Sequence, residues 1–214
     1  MTRTLLRSLL DPHMRIIAGT HRSRLLQAPK GVSTRPTSDR VREAIFSILG
    51  SRSPFLGGRV LDLYAGTGAL GLEALSRGAC AATFVECSRS ALQALRANVA
   101  ALGVTDRTRI VTSVVERSAE ALAVDAPFDL ILADPPYALV KSGEVAGTLA
   151  DLVRRAWLAG GGNVVLEHGK EDASPPIEGL FLSEVRRYGD TAVAFYRGAA
   201  IFDAAHLSTS ANDD

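Results

Sequence analysis

The chain has 214 residues, of which 47% are apolar and 22% charged, and its formal net charge at pH 7 is only +1. This length and composition are typical of one globular domain with room for a small extension. A near-neutral charge excludes nucleic-acid binding through overall basicity, so such a partner would need a local concentration of positive charge.

The first thirteen residues carry two leucine pairs, interrupted by Arg7 and stopped by Asp11 and Pro12. The apolar run is too broken for a secretory signal, and no later stretch approaches the length of a membrane span. We treat residues 1–13 as an uninformative extension, with Met14 as an alternative start, and we expect no membrane segment.

Positive charge collects in residues 14–50, which carry seven basic side chains against Asp39 and Glu43. The short apolar stretches MRIIAG and RLLQAP flank the polar THRS and predict a β-hairpin. Because local positive charge suits phosphate, we predict RNA contact here, the alternative being a solvated charged face. The predicted RNA-binding residues are Arg15, Arg22, Arg24, Lys30, Arg35 and Arg40.

A helix is predicted in the second half of this basic segment, beginning at an N-cap on Thr37 or Ser38 with Asp39 in its first turn. We expect Gly50 to end this helix. Its apolar stripe consists of Val41, Ala44, Ile45, Ile48 and Leu49.

From residue 51 to 200, apolar strands alternate with helices, starting with RVLDLY, ALGLEALSRG and AATFVE. Near-continuously apolar strands are typical of a parallel sheet covered on both faces. The last two strands, FLSEVRRYG and TAVAFYRG, are joined by a tight turn and predict an antiparallel hairpin. The fold class is therefore α/β, a doubly wound and mostly parallel sheet of seven strands. Residues 201–214 have the composition of a disordered tail.

Cysteine and histidine usage points away from disulfides and metals. Cys80 and Cys87 lie seven positions apart on one predicted strand, where an odd spacing points them to opposite faces. We therefore predict no disulfide, which fits a reducing cytosol. We predict no metal, because the four histidines pair with no cysteine at ligand spacing; they are His13, His21, His168 and His206. We expect His168 to be structural.

A glycine-rich loop follows the first strand of the domain. Gly66, Gly68 and Gly71 form the G-x-G-x-x-G pattern in LYAGTGALG. Glu86 ends the second strand about twenty residues later, where a carboxylate can accept hydrogen bonds from a ribose diol. The two features predict an adenosine-bearing ligand, and both NAD and S-adenosylmethionine satisfy them.

The fourth strand ends in ADPPY, which places Asp134, Pro135, Pro136 and Tyr137 at the mouth of the sheet. The prolines donate no N–H, so they leave rigid carbonyl acceptors beside the Asp134 carboxylate. An exocyclic amino group of a nucleobase needs such acceptors, because they localise its lone pair for attack, while an aromatic ring stacks on the base. We predict these four residues as catalytic; the alternative is an ordinary turn with a capping aspartate.

Together these features resemble the class I S-adenosylmethionine-dependent amino-methyltransferases. Four blocks resemble the bacterial family that methylates the N2 amine of a guanine in 16S ribosomal RNA, guanine 966. They are MRIIAGTHRSRLL, TRPTSDRVREAIFSIL, DLYAGTGALGLEALSRGA and ADPPY. The resemblance spans Met14 to Arg197 and implies that the glycine loop admits S-adenosylmethionine rather than a pyrophosphate.

The resemblance also implies the residues that meet the cofactor and the target. Arg35, Pro36 and Thr37 would lie near the target pocket. Relatives usually carry a polar or acidic residue after the third strand for the adenine amine, whereas this chain has Ser113 followed by two valines. We therefore expect Ser113 or the backbone to recognise adenine. The predicted cofactor-binding residues are Thr37, Asp62, Tyr64, Ala65, Gly66, Thr67, Gly68, Glu86, Cys87 and Ser113.

The implied partner is 16S rRNA, within a small ribosomal subunit or an assembly intermediate, and the implied enzyme is a cytoplasmic monomer. One alternative is an amino-methyltransferase acting on adenine N6 or cytosine N4 in DNA or another RNA. A nicotinamide-dependent oxidoreductase would use the same glycine loop but leave DPPY without a purpose. A non-catalytic RNA-binding assembly factor would have no reason to keep Asp134 together with the glycines.

Overall fold

The computed structural model describes residues 14–29, 39–52 and 55–199. Several predictions lie outside the described residues. They concern the extension 1–13, the candidate contacts Lys30, Arg35, Pro36 and Thr37, the helix cap at Thr37 or Ser38, and the tail 201–214.

The described residues contain a seven-stranded sheet in the order β3-β2-β1-β4-β5-β7-β6. Strands β1 to β5 are parallel, and β7 pairs antiparallel with both β5 and β6. This confirms the predicted doubly wound, mostly parallel α/β fold with an antiparallel C-terminal hairpin. The strands are β1 (Arg59–Leu63), β2 (Ala81–Glu86), β3 (Thr108–Thr112), β4 (Phe128–Ala133), β5 (Leu158–Gly169), β6 (Leu180–Tyr188) and β7 (Thr191–Gly198).

Helices cover both faces of the sheet. The first three and residues 14–29 share one apolar core, and the last three share the other. The helices of the described ranges are α1 (Asp39–Arg52), α2 (Ala69–Ser76), α3 (Arg89–Leu102), α4 (Ala119–Leu122), α5 (Tyr137–Lys141) and α6 (Glu144–Arg154). Within those ranges, no helix combines the length and the apolar character that crossing a bilayer requires.

The apolar stripe of α1 packs as predicted, with Val41, Ile45 and Leu49 buried. The predicted helix end at Gly50 is wrong, because α1 continues to Arg52. Gly50 does not adopt the left-handed conformation that would end the helix, and the space around its Cα is open.

Residues 14–29, hereafter the N-terminal segment, form a narrow hairpin rather than two full strands. Its ladder contains one bridge, Arg15 to Leu25, with the Ile16 amide donating to the Arg24 carbonyl at 2.9 Å. The ladder is short because a helix side chain takes the neighbouring donors. The buried Glu73 carboxylate of α2 accepts from the amides of Ile17 and Ala18, at 2.7 and 3.0 Å.

One of the seven basic side chains of residues 14–50, which was not among the predicted RNA contacts, is internal. Arg42 is fully buried, and it donates to the Arg15 carbonyl at 2.6 Å and to the Asp39 carboxylate at 2.7 Å. Arg42 therefore ties α1 to the N-terminal segment. Arg15 and Arg40 remain exposed at this junction.

Both cysteine thiols are free and exposed. Cys80 and Cys87 flank β2 rather than lying on it. They are kept apart by the length of that strand, and not by facing opposite sides of the sheet.

Candidate active site

Five neighbouring parallel strands end side by side. Leu63 of β1 pairs with Val85 and with Ala133, and Ala133 pairs in turn with Leu166. The chain order reverses between β1 and β4, which is where open α/β sheets bind ligands. The residues that follow or close these strands meet at one edge of the sheet, and they are Tyr64, Glu86, Ser113, Asp134 and Glu167.

A cavity of about 710 Å³ opens at this edge. It brings together predicted cofactor-binding and catalytic residues that lie far apart in the sequence. Predicted residues that line the cavity are Asp62, Tyr64, Ala65, Gly66, Thr67, Glu86, Cys87, Ser113, Asp134, Pro135, Pro136 and Tyr137.

Glycine is needed at the three loop positions for different structural reasons. Gly66 has a φ of 55° and lies open at the cavity. Gly68, included in the predicted cofactor site, is not among the described lining residues, and a Cβ there would lie 2.4 Å from Leu95. At Gly71 a Cβ would lie 2.4 Å from the Phe84 ring. The last two glycines therefore allow α2 to pack closely against its neighbours.

The Glu86 carboxylate is held by backbone amides of the cavity wall. One oxygen accepts from the Gly66 amide at 2.8 Å, and the other accepts from Cys87 and Ser88 at 2.8 and 2.6 Å. A carboxylate has about four acceptor sites, so Glu86 retains capacity for a ligand hydroxyl. It thus fixes the loop and faces the ligand space at the same time.

Asp62 is buried beneath the glycine loop, where it accepts from the Gly71 amide at 2.8 Å. Burial raises the pKa of Asp62 well above its ordinary value; the Gly71 hydrogen bond opposes this rise, and the charges of Asp134 and Glu86 add to it. That mutual repulsion shows that three carboxyl groups share one small region.

The Tyr137 ring is fixed by a hydrogen-bond relay that the sequence did not reveal. Its hydroxyl lies 2.8 Å from the Thr191 hydroxyl, which donates to the Glu167 carboxylate at 3.2 Å. Since Thr191 has a single proton, Tyr137 is the donor in the first bond. Tyr137 also begins α5, a short helix that was not predicted.

A second missed carboxylate, Glu116, lies on the opposite wall. It accepts from the Tyr64 hydroxyl at 2.8 Å, and Tyr64 has a φ of 58°, which is uncommon outside glycine. Burial and this hydrogen bond raise the pKa of Tyr64. The Ser113 hydroxyl instead donates to the Val114 carbonyl at 2.9 Å. The acid three positions beyond Ser113 was the available sequence signal.

The N-terminal segment completes the wall, with Met14, Ala28 and Pro29 lining the cavity. Buried Asn98 of α3 ties this segment to the glycine loop. Its side-chain oxygen accepts from the Gln27 amide at 2.7 Å, and its amide donates to the carbonyls of Gln27 and Thr67 at 3.1 and 3.0 Å. A polar residue on the apolar stripe of α3 was the sequence signal.

The charge of the cavity wall, as far as the described residues form it, is one-sided. The described lining residues include no lysine, arginine or histidine. Such a wall favours a positively charged ligand and disfavours a pyrophosphate. No cluster of three or more potential metal ligands was found within the described ranges. The carboxyl groups of the wall are Asp62, Glu86, Glu116, Asp134 and Glu167.

The predicted RNA-binding arginines that the structure describes, Arg15, Arg22, Arg24 and Arg40, are not among the residues that line the cavity. We call residues 19–24, the turn of the N-terminal segment, its tip. The tip contacts the last residue of α2, where the Thr20 amide donates to the Ser76 carbonyl at 2.8 Å. Arg24 donates to the Ala101 carbonyl near the end of α3 at 2.7 Å. These helix ends lie at the other edge of the sheet, so Arg22 and Arg24 are remote from Asp134.

His168 has the structural place expected of it. The ring is buried, with Nδ1 2.9 Å from the Gly169 carbonyl and Nε2 2.9 Å from the Ser174 hydroxyl. Because a carbonyl can only accept, Nδ1 is the donor in the first of these bonds. Both nitrogens are used within the fold.

Comparisons with known proteins agree with this architecture. Residues 14–197 match the family described as Conserved hypothetical protein 95. The chain is 38% identical over 186 residues to "Putative rRNA methyltransferase YlbH" of Bacillus subtilis, covering 86% of this chain and 98% of that protein. It is 34% identical over 164 residues to ribosomal RNA small subunit methyltransferase D of Escherichia coli K12, covering 77% and 79%.

A solved structure extends the comparison to the fold. "Putative methyltransferase yhhF" from Escherichia coli superposes with a TM-score of 0.74 at 35% identity, over 88% of this chain and 99% of that one. The sequence match and the superposition cover nearly the whole described domain. The chain therefore belongs to the Conserved hypothetical protein 95 family, the RsmD family of class I methyltransferases.

Proposed function

We propose that this protein transfers a methyl group from S-adenosylmethionine to the exocyclic N2 amine of a guanine in 16S rRNA. The observation that carries the proposal is the cavity, where Asp134 and the glycine loop share a wall rich in carboxyl groups. Relatives named as rRNA methyltransferases support an RNA substrate. The choice of guanine N2 comes from the resemblance in the N-terminal blocks.

The cavity fits this cofactor by charge and by hydrogen bonding. S-adenosylmethionine, when bound, supplies an electrophilic methyl group on a positively charged sulfur and leaves as a neutral thioether. Asp62 and the Gly66–Thr67 backbone would hold its methionine end, and Glu86 would accept from its ribose hydroxyls. The wall from Ser113 to Glu116 would meet the adenine.

Asp134 and the Pro135 carbonyl carry the chemistry on the amine. The two acceptors would take the two N–H hydrogen bonds of the amine, which localises the nitrogen lone pair and aims it across the cavity. Since the methylated amine is acidic, Asp134, or a water beside it, would then accept one proton. No strong base is needed before attack, so positioning and exclusion of water supply most of the rate.

Tyr137 would position the target base. A ring of this kind stacks on a nucleobase with about 1–3 kcal/mol. The relay through Thr191 to Glu167 holds the hydroxyl at the far end of the ring. The orientation of the ring is thereby fixed before RNA binds.

The cofactor can be tested first, by comparing S-adenosylmethionine with NADH in a thermal-shift titration. The proposal expects stabilisation by S-adenosylmethionine and none by NADH. The reverse result would identify a nicotinamide enzyme and overturn the proposal.

The substrate is tested by mass mapping of 16S rRNA from cells that lack the protein. We expect one methylguanine to be missing and to return when the gene is restored. An unchanged methylation pattern in 16S rRNA, together with transfer to adenine or cytosine in DNA, would replace the proposed substrate.

A further inference from the structure

A group of basic side chains, three arginines and a histidine, lies at the sheet edge opposite the cavity, where the proposed chemistry gives it no role. We call this group the far-edge basic cluster. It combines the tip of the N-terminal segment with the turn that precedes β3. Its members are His21, Arg22, Arg24 and Arg107.

The tip is docked rigidly at this edge. Beyond the Thr20 bond to Ser76, the His21 amide donates to the Ser76 hydroxyl at 3.0 Å. Gly19 has a φ of 85°, and a Cβ there would lie 1.8 Å from the Ser76 carbonyl oxygen. The basic side chains of the tip are therefore presented from a fixed backbone.

The turn before β3 brings Arg107 to the same place. Arg24 donates to Ala101 near the end of α3, and the 3₁₀ turn Thr105–Arg107 follows directly after that helix. Burial, and then the charges of Arg107 and Arg24, lower the pKa of His21. Two separate chain segments thus build one positive field.

None of the three arginines of the cluster has an acidic partner among the described residues, whereas several other arginines of the fold do. Arg77, Arg109 and Arg155 pair with Glu73, Asp125 and Asp151 at 2.6–2.7 Å. Among the described residues, no carboxylate lies within ion-pair distance of Arg22, Arg24 or Arg107. Uncompensated arginines on a rigid surface are suited to an external anion.

The cluster lies about one strand length from the target. Strand β2 runs from this edge to Glu86 over six residues, roughly 17 Å at 3.3 Å per residue. A helical nucleic acid spans that distance with about five stacked base pairs. One ligand can therefore reach both edges only if it is a polyanion of that length.

Building on the proposed function, we infer that the far-edge basic cluster binds phosphates of the RNA substrate about 17 Å from the target base. The enzyme would then select a folded RNA whose backbone follows the N-terminal segment from the cavity to this edge. Arg107, which lies in the methyltransferase domain, would be part of the RNA site.

The test compares Arg107→Glu with Arg154→Glu, the same charge reversal on α6 across the sheet. Both variants and the wild type are titrated with two RNAs that share the target guanine. One is a stem-loop with about ten base pairs, and the other is cut back to about two, which end short of the cluster. Binding is measured over a range of salt concentrations, and thermal melting checks that each variant is folded.

We expect Arg107→Glu to weaken the long RNA at least about tenfold and to reduce its salt slope by about one or two, with the short RNA and S-adenosylmethionine unaffected. Arg154→Glu should match the wild type. Equal effects on both RNAs, or no difference between the variants, would overturn the inference. If the wild type shows the expected binding but methylates no RNA, the proposed function fails and the phosphate site stands.

Discussion

Two regions at opposite edges of the same sheet carry opposite charge. The edge where the parallel strands end collects the carboxyl groups of the cavity, with no cation among the described lining residues. The other edge carries the far-edge basic cluster. A net charge of +1 conceals this separation, because it reports only a sum. Under the proposed function, one α/β domain would attract a cationic cofactor at one edge and a polyanion at the other.

The N-terminal segment joins these two edges. Its ends line the cavity through Met14 and Pro29, while its tip holds the basic side chains. Asn98 and Glu73 tie it to α3 and α2 along the way. A change that loosens this segment should therefore weaken ligand binding at both edges.

The largest effect at the cavity edge, apart from loss of chemistry, is expected from Glu86→Ala. The change leaves the amides of Gly66, Cys87 and Ser88 without their acceptor and removes the proposed partner of the ribose. We expect S-adenosylmethionine affinity to fall roughly 100-fold by calorimetry. Glu116→Ala is the matched control and should cost less, since Glu116 accepts from one hydroxyl only. An equal loss of cofactor affinity in both variants would show that Glu86 contributes no more to cofactor binding than Glu116 does.

Asn98→Ala tests the connection between the edges. Three backbone groups, two on Gln27 and one on buried Thr67, would lose their partner, which should lower the free energy of unfolding by about 3 kcal/mol. Cofactor and long-RNA affinity should both fall several-fold, because the segment contributes to each site. Gln93→Ala, at an exposed position of the same helix, should change neither. A loss of stability with unchanged cofactor and RNA affinities would show that the N-terminal segment contributes to neither site.

Asp62→Asn is expected to raise stability while weakening cofactor binding. The amide oxygen still accepts from Gly71, and the buried charge is gone. Because the pKa of Asp62 is raised in the fold, the wild type loses stability as the pH rises through that pKa. The melting temperature of the variant should thus exceed that of the wild type near about pH 8, and the gap should narrow toward about pH 5. A gap that widens on acidification would contradict the raised pKa.

Much of the cavity could be predicted from sequence, because its parts are local patterns at strand ends. The glycine loop, Glu86 and DPPY each follow an apolar strand, and parallel register brings such ends together. The Tyr137 relay could not be predicted, since Thr191 reaches it only because β7 inserts beside β5. The remote position of Arg22 and Arg24 was equally hidden, because it depends on tertiary hydrogen bonds from Glu73 and Asn98. The helix end at Gly50 was wrong because glycine permits a left-handed turn without requiring one.

The most direct test of the account is a single-turnover measurement on Asp134→Ala, paired with S-adenosylmethionine binding by calorimetry. If Asp134 acts on the target amine, the methyl-transfer rate should fall at least about 100-fold while cofactor affinity stays within about threefold of the wild type. An equal loss of rate and affinity would make Asp134 a cofactor contact. A methyl-transfer rate that is unchanged by the substitution would show that Asp134 has no part in the chemistry.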